Sequence, residues 1–450
     1  MSSPRGGSTV SRRRFLGALG LGFPAAAAAG RGLSPVQSEE GVPGTDTRER
    51  LQDLADTPGA PKRIARDEDF WGEVQNAFTI DRSMVNLNNG GVSPTPGHVL
   101  AAMKRDLDYA NQMPVYKGWE VLDPQQEGVR KRLAREWGVH AEEVALTRNA
   151  SEGLEILQFG HDLFEGDEVL TTNQDYPRMI NTFKQREQRH GITLRQISLP
   201  VPAEDDSEVV RRFEEAITPQ TKLILMCHMI NLTGQILPVK KVVAMAREYD
   251  VPVIVDGAHA LAHFEFDLAD LGCSRYATSL HKWLFAPIGT GLLYVQREEI
   301  PDVWPLMAAA PKQKDDIRKF EEIGTHPEAN FLAIGEALTF HQRIGGKRKE
   351  QRLVYLRDYW AKPLREHDRV RLHTSLKPGY ACGIATVNID GVPPTDLYQW
   401  LWDEHRIRTT PIVHEEFQGI RVSPSVYTTL DELDRFVDAM QHVVDNGLPG

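Results

Sequence analysis

A strand-like stretch of this chain ends in Thr278-Ser279-Leu280-His281-Lys282-Trp283. A lysine by itself is usually a solvated surface charge. Lys282, however, is followed closely by Leu284, Phe285 and Ile288, and the Gly-rich turn Pro287-Ile-Gly-Thr-Gly291 comes next. An ammonium in an apolar setting loses solvation, its pKa falls, and it becomes a nucleophilic amine. Asp256, 26 residues earlier, closes the apolar run Val251-Pro-Val-Ile-Val255. A carboxylate at the end of a buried strand is costly without a charged partner. Taken alone, Asp256 also fits a structural acid capping a turn. Together with Lys282 it has the parts of a pyridoxal 5'-phosphate (PLP) site. The lysine would carry the cofactor as a Schiff base. The carboxylate would keep the pyridinium nitrogen protonated, so that the ring draws electrons from a substrate Cα.

The elements needed to hold such a pair are legible around it. Strand-like runs at Glu168–Thr172, Ile192–Leu199, Leu223–Met226, Val251–Val255, Arg275–Ser279 and Gly291–Val295 alternate with helical stretches at Ser151–Leu163, Arg178–His190 and Val239–Tyr249. This alternation predicts an α/β fold with a mostly parallel sheet flanked by helices, and ligands beyond the carboxyl ends of its strands. Past Pro311 the pattern changes to long helices with a few strands, such as Gly383–Val387. The expected organisation is a large cofactor-binding domain over 94–310 and a smaller α/β domain built from 63–93 and 311–450. Residues 31–62 read as a linker, rich in Gly, Pro, Ser, Asp and Glu.

With Asp256-Gly-Ala-His259 and Ser279-Leu-His-Lys282 in view, the chain resembles the class V aminotransferase family of PLP fold type I enzymes. That family includes cysteine desulfurases, kynureninases and isopenicillin N epimerase. The resemblance runs over roughly Asn86 to Phe436 and implies a homodimer with its active site near the subunit interface. It assigns the PLP phosphate to Ala150 and Ser151, in the Thr147-Arg-Asn-Ala-Ser-Glu-Gly153 turn before a helix, and to Ser279 and His281. Backbone N–H groups at a helix start suit an anion, although Asn149 or Ser151 would equally serve there as a plain N-cap.

The resemblance also places Tyr176 in a stack on the cofactor ring, where a core tyrosine is the alternative. Asn231, in Met229-Ile-Asn-Leu-Thr-Gly234, is expected at the cofactor's phenolic oxygen, or is simply a turn former. His259 is expected near the same oxygen. Arg421, in Gly419-Ile-Arg-Val-Ser423, would fork the substrate α-carboxylate, if it is not a surface arginine. Gly324-Thr325 resembles a turn that touches the partner subunit's cofactor phosphate. Leu87-Asn-Asn-Gly-Gly91 and Tyr116–Trp119 fall near the expected substrate cavity and receive no role.

Departures from the family narrow the reaction. Desulfurases carry a nucleophilic cysteine on a loop shortly before the carboxylate-binding arginine. Here the stretch Arg408–Ile420 has none. Cys382 lies 39 residues before Arg421 in a strand-like context and reads as a buried hydrophobe. Leu87-Asn-Asn-Gly-Gly91 and Asn149-Ala150-Ser151 look closer to the isopenicillin N epimerase branch. The expected activity is therefore aminotransferase or epimerase chemistry at the Cα of an amino-acid-like substrate, with Lys282 as general base. A C–S or β-elimination lyase is one alternative. An exported PLP- or ligand-binding protein without turnover is another. A nucleotide-binding α/β protein is disfavoured because the chain lacks a Walker-type GxxxxGK[ST] and a convincing GxGxxG.

Composition sets the outer bounds. The chain has 450 residues, 41% of them hydrophobic and 26% charged, enough to bury a sizeable core. A formal net charge of -11 disfavours nucleic acid and anionic membrane as partners. Cys227, Cys273 and Cys382 have neither metal-ligand nor CxxC spacing, and no metal is expected. At the N-terminus, Ser11-Arg-Arg-Arg-Phe-Leu16 precedes a short Gly- and Ala-rich stretch and then Ala25–Ala29. This matches a twin-arginine export signal over 1–30, too short and weakly apolar for a stable membrane anchor; a plain tail is the alternative. The expectation is passage of the folded chain through the twin-arginine machinery, with a periplasmic or extracellular location. A cut near Gly30 removes four arginines and leaves about -15.

Overall fold

The structure, a computed structural model, describes the backbone of residues 43–449 and side chains from Glu49 onward. The proposed export signal lies outside the described residues. Thirteen strands occur among them. In chain order these are β1 (Val85–Asn86), β2 (Val144–Thr147), β3 (Glu168–Thr172), β4 (Thr193–Ile197), β5 (Thr221–Cys227), β6 (Val253–Asp256), β7 (Arg275–Ser279), β8 (Gly291–Val295), β9 (Val370–Leu372), β10 (Ala385–Ile389), β11 (Ile407–Arg408), β12 (Thr410–Val413) and β13 (Gln418–Val422). Seven form one sheet in the order β2-β8-β7-β6-β5-β3-β4. The run from β7 to β4 is parallel, and β8 is antiparallel to both β7 and β2. This is the expected α/β fold with a mostly parallel sheet.

The central strands are buried on both sides, which is why they read as continuous apolar runs. Successive side chains go to opposite faces. Ile224 and Met226 of β5 join one apolar cluster with Val253 and Val255 of β6. Leu223 and Leu225 join another with Ile254. A four-stranded antiparallel sheet, β12-β13-β10-β9, has its own core of Val387, Ile420 and Val422 against Trp360 and Phe436. The two-residue strands β1 and β11 pair in parallel.

Two segments depart from the sequence reading. Pro43–Asp56, within the expected linker, is a helix that buries Leu51 and Leu54 in the large-sheet cluster. The helix Ala329–Ile344 likewise sends Phe331, Ile334 and Leu338 into that cluster, so the chain past Pro311 does not sort wholly with the small sheet. No helix among the described residues is long and apolar enough to cross a membrane.

Candidate active site

The parallel strands deliver their carboxyl ends to one edge of the large sheet. Asp256 is the last residue of β6 and pairs in register with Cys227, the last of β5, and with Ala277 of β7. Ser279 ends β7, and Lys282 lies three residues beyond it. Tyr176 follows β3 at the entrance to the helix Pro177–His190. Arg421 comes from the other sheet, on β13, opposite Thr386 of β10 and Thr410 of β12. All the sequence-predicted site residues except Thr325 line a single cavity of about 300 Å³.

The phosphate end of this cavity is built from contacts distant in sequence. Asn149 caps the helix Ala150–Gly160 by accepting from the Glu152 N–H. The Ala150 N–H donates to Ser279 Oγ at 3.0 Å, joining the helix start to the end of β7. Glycines permit this approach. A Cβ on Gly153 would stand 2.9 Å from Ala277 Cβ, and one on Gly291 would stand 2.7 Å from the Asn149 backbone. His281 Nδ1 lies 3.1 Å from the Thr290 carbonyl, to which it must donate, so Nε2 is the ring nitrogen left for a ligand. A negative pole of a ligand placed here meets a helix N-terminus, a hydroxyl and an imidazole.

At the other end, burial dominates the electrostatics. Desolvation pushes the Asp256 carboxyl up to about 6, even though it accepts from the Ala258 N–H and lies near Lys282. Desolvation lowers Lys282 to about 8, against the pull of Asp256. Lys282 Nζ sits 3.1 Å from His259 Nε2. Burial holds His259 well below its usual range, so the ring is neutral and accepts from the ammonium. Arg421 is 6% exposed and donates to the Asn231 carbonyl at 2.9 Å, to Asn88 Oδ1 at 2.9 Å and to Thr410 Oγ1 at 3.3 Å. All three acceptors are neutral, and desolvation lowers the guanidinium to about 10.

PLP fits this donor set. Asn231 Oδ1, His259 Nδ1 and Arg421 Nε are buried without a hydrogen-bond partner. Buried polar atoms of this kind call for a ligand. Asp256 and Arg421 are buried charges of opposite sign, neither with a salt bridge among the described residues, and the cavity separates what each would hold. Fold and site together define a PLP-dependent enzyme of fold type I.

A class V aminotransferase family model matches residues 85–436. This chain belongs to that family. It is 26% identical over 387 residues to isopenicillin N epimerase of Streptomyces clavuligerus, covering 82% of this chain and 97% of that protein. It is 25% identical over 389 residues to hercynylcysteine sulfoxide lyase of Schizosaccharomyces pombe, covering 82% and 96%. Among solved structures, a variant of the cystine C–S lyase C-DES with glycine covalently linked to its PLP cofactor superposes with a TM-score of 0.70. That match is 23% identical and covers 80% of this chain and 98% of the lyase.

Thr325 stands apart. With Gly324 it lines a second cavity, shared with Trp119, Arg318 and Glu328. The Leu87–Gly91 run, expected near the cavity without a role, does reach it, and Asp175 is a site residue the sequence reading missed. Gly90 and Gly91 line the main cavity, and Asn88 holds Arg421. Asp175 is 1% exposed and accepts from Thr171 Oγ1, both donors of Thr172, and the Cys227 N–H. It ties the end of β3 to the end of β5 and so seats the neighbouring Tyr176. The Asn-Asn-Gly-Gly run was visible as a signal, but its partners lie more than 300 residues away.

Proposed function

We propose that this protein binds an amino-acid-like substrate by its α-carboxylate and acts at Cα through Lys282, in an epimerase or aminotransferase type of reaction similar to that of isopenicillin N epimerase. The observation that carries this reading is Arg421, a buried guanidinium with only neutral partners and a free Nε, in the same cavity as Lys282. A buried cation in this state favours an anion, and its fork suits a carboxylate.

PLP, when bound, supplies an aldehyde for the substrate amine and an electron sink for Cα. The residues supply the rest. Asp256 would hold the pyridinium N–H. Ala150, Ser151, Ser279 and His281 would hold the phosphate. Tyr176 would cover the ring, and Asn231 and His259 would serve the phenolic oxygen. Arg421 would hold the substrate carboxylate and so restrict how Cα is presented to Lys282. Lys282, with its pKa lowered to about 8, would take the Cα proton near neutral pH; returning it from the same side gives exchange without inversion, so an epimerase needs a second proton donor on the opposite face. His259 Nε2, 3.1 Å from Lys282 Nζ, would help hold the lysine in place.

The same reading includes a homodimer and export by the twin-arginine pathway to a periplasmic or extracellular location. Exposed Met113, Val115, Tyr116 and Trp119 support a face covered by a second copy. Arg12-Arg13 supports the export route.

The test is Cα deuterium exchange by the PLP-loaded protein across a panel of D- and L-amino acids. Exchange with inversion supports an epimerase, and a keto acid product supports an aminotransferase. Loss of a β-substituent would replace this reading with a lyase. Spectral binding without any exchange would refute turnover.

A further inference from the structure

His263 does not line the cofactor cavity, yet its ring touches both segments that carry the Lys282–His259 pair. The Gly383 N–H donates to His263 Nε2 at 2.9 Å, so that nitrogen has no proton. Nδ1 must then carry the hydrogen, and it lies 2.8 Å from the His259 carbonyl. One tautomer satisfies both contacts. The same ring stacks on Trp283, with centroids 3.6 Å apart and planes at 13°. Trp283 is the residue after Lys282, and its carbonyl accepts from the buried Lys349 ammonium.

The backbone shows why such a tie is needed. Ala262, three residues after His259, has φ 60°, and Phe285, three residues after Lys282, has φ 63°. Residues with a Cβ rarely adopt this left-handed conformation, and bulky ones least of all. Such turns persist where their surroundings over-determine them. Phe285 is packed edge-on against Phe78 and lies under the Lys349 ammonium. His263 is where the two turns meet. Burial opposes protonation of its ring most, and the nearby charges of Lys349 and Arg357 add to that against the His259 carbonyl bond. Cys382 donates to its carbonyl.

We propose that His263 is a positioning residue for the Lys282–His259 pair. It locks the two turns at a fixed separation and keeps the lysine in its dry seat beside His259 Nε2. This rests on Lys282 being the cofactor lysine. The test uses His263→Phe, which keeps a flat ring but loses both hydrogen bonds, and Trp283→Leu, which removes the stack but keeps them.

The full-length apoprotein is mixed with PLP across a pH series. The rate of covalent uptake is followed by absorbance, and borohydride-reduced samples are mapped to the labelled lysine. His263→Phe is expected to slow uptake at pH 8 by at least tenfold and to move the midpoint of the pH–rate curve upward, toward that of a solvated lysine. Trp283→Leu should move both in the same direction by less. Label on Lys282 with an unchanged rate and midpoint in a folded His263→Phe variant overturns the proposal. Should that variant not fold, Trp283→Leu decides by the same criterion. Label on another lysine in the parent protein overturns the Lys282 reading itself.

Discussion

Replacing Arg421 with Met separates a substrate-binding arginine from a structural one. In the native chain the guanidinium makes three hydrogen bonds to neutral acceptors and meets no carboxylate. Losing hydrogen bonds from a charged donor costs about 1.5–3 kcal/mol each. Removing a desolvated, unpaired charge returns several kcal/mol. The two largely offset each other, so Arg421→Met should leave unfolding stability within about 2 kcal/mol of the parent. Arg130 is the internal control. It is 2% exposed and bidentate to Glu321, with Nη2–Oε2 at 2.8 Å. Arg130→Met leaves the half-buried Glu321 carboxylate without its partner and should cost about 3 kcal/mol, the low end for a broken buried pair.

Activity should sort the other way. A carboxylate that loses a buried charged partner forfeits about 2–5 kcal/mol, or roughly 30- to 4,000-fold in kcat/KM. The assays are urea unfolding and Cα deuterium exchange, run on both variants with an amino acid and its decarboxylated amine. Arg421→Met should lose most of its preference for the acid over the amine. Equal destabilisation of the two variants, or exchange by Arg421→Met within threefold of the parent, would refute the assignment.

Lys282→Ala should abolish both the visible absorbance of the covalently held cofactor and all turnover; retained exchange overturns its role. Asp256 has a folded pKa of about 6 against an ordinary value of 3.8, so the folded apoprotein binds the extra proton between those values. Apoprotein stability should therefore fall as pH rises from about 4 to 6, by an amount on the order of 3 kcal/mol, and Asp256→Asn should remove that fall in pH-dependent unfolding. Lys282, lowered from 10.5 to about 8, acts with the opposite sign. The unfolded chain holds the extra proton between about pH 8 and 10.5, so apoprotein stability should rise across that window, and Lys282→Met should flatten the rise.

Legibility followed the range of the interactions. Glu168–Thr172, Arg275–Ser279 and Gly291–Val295 were readable as strands with the bounds they have in the fold, because both faces are buried and turns bracket them. Strand β2 was not legible: its four residues gain their meaning only by pairing antiparallel with β8, more than 140 residues away. Asp256 and Lys282 were legible because burial forces a chemical question on each of them. The environment of Arg421 was not, since Asn88 and Asn231 reach it from distant turns. The helix within Pro43–Asp56 was hidden by linker-like composition. Its two buried leucines are too few to set a clear period.

The three cysteines carry a consequence of their own. Cys227, Cys273 and Cys382 are free and buried, and burial pushes every thiol up, Cys273 to about 12. Oxidants and disulfides react with the thiolate, and at physiological pH almost none of it exists here. The fold accordingly needs no disulfide, and a change of thiol redox poise finds no reactive thiolate among the three cysteines. A chain that matures in a reducing compartment and works in an oxidising one, as proposed for this protein, has no need to rewire itself on the way.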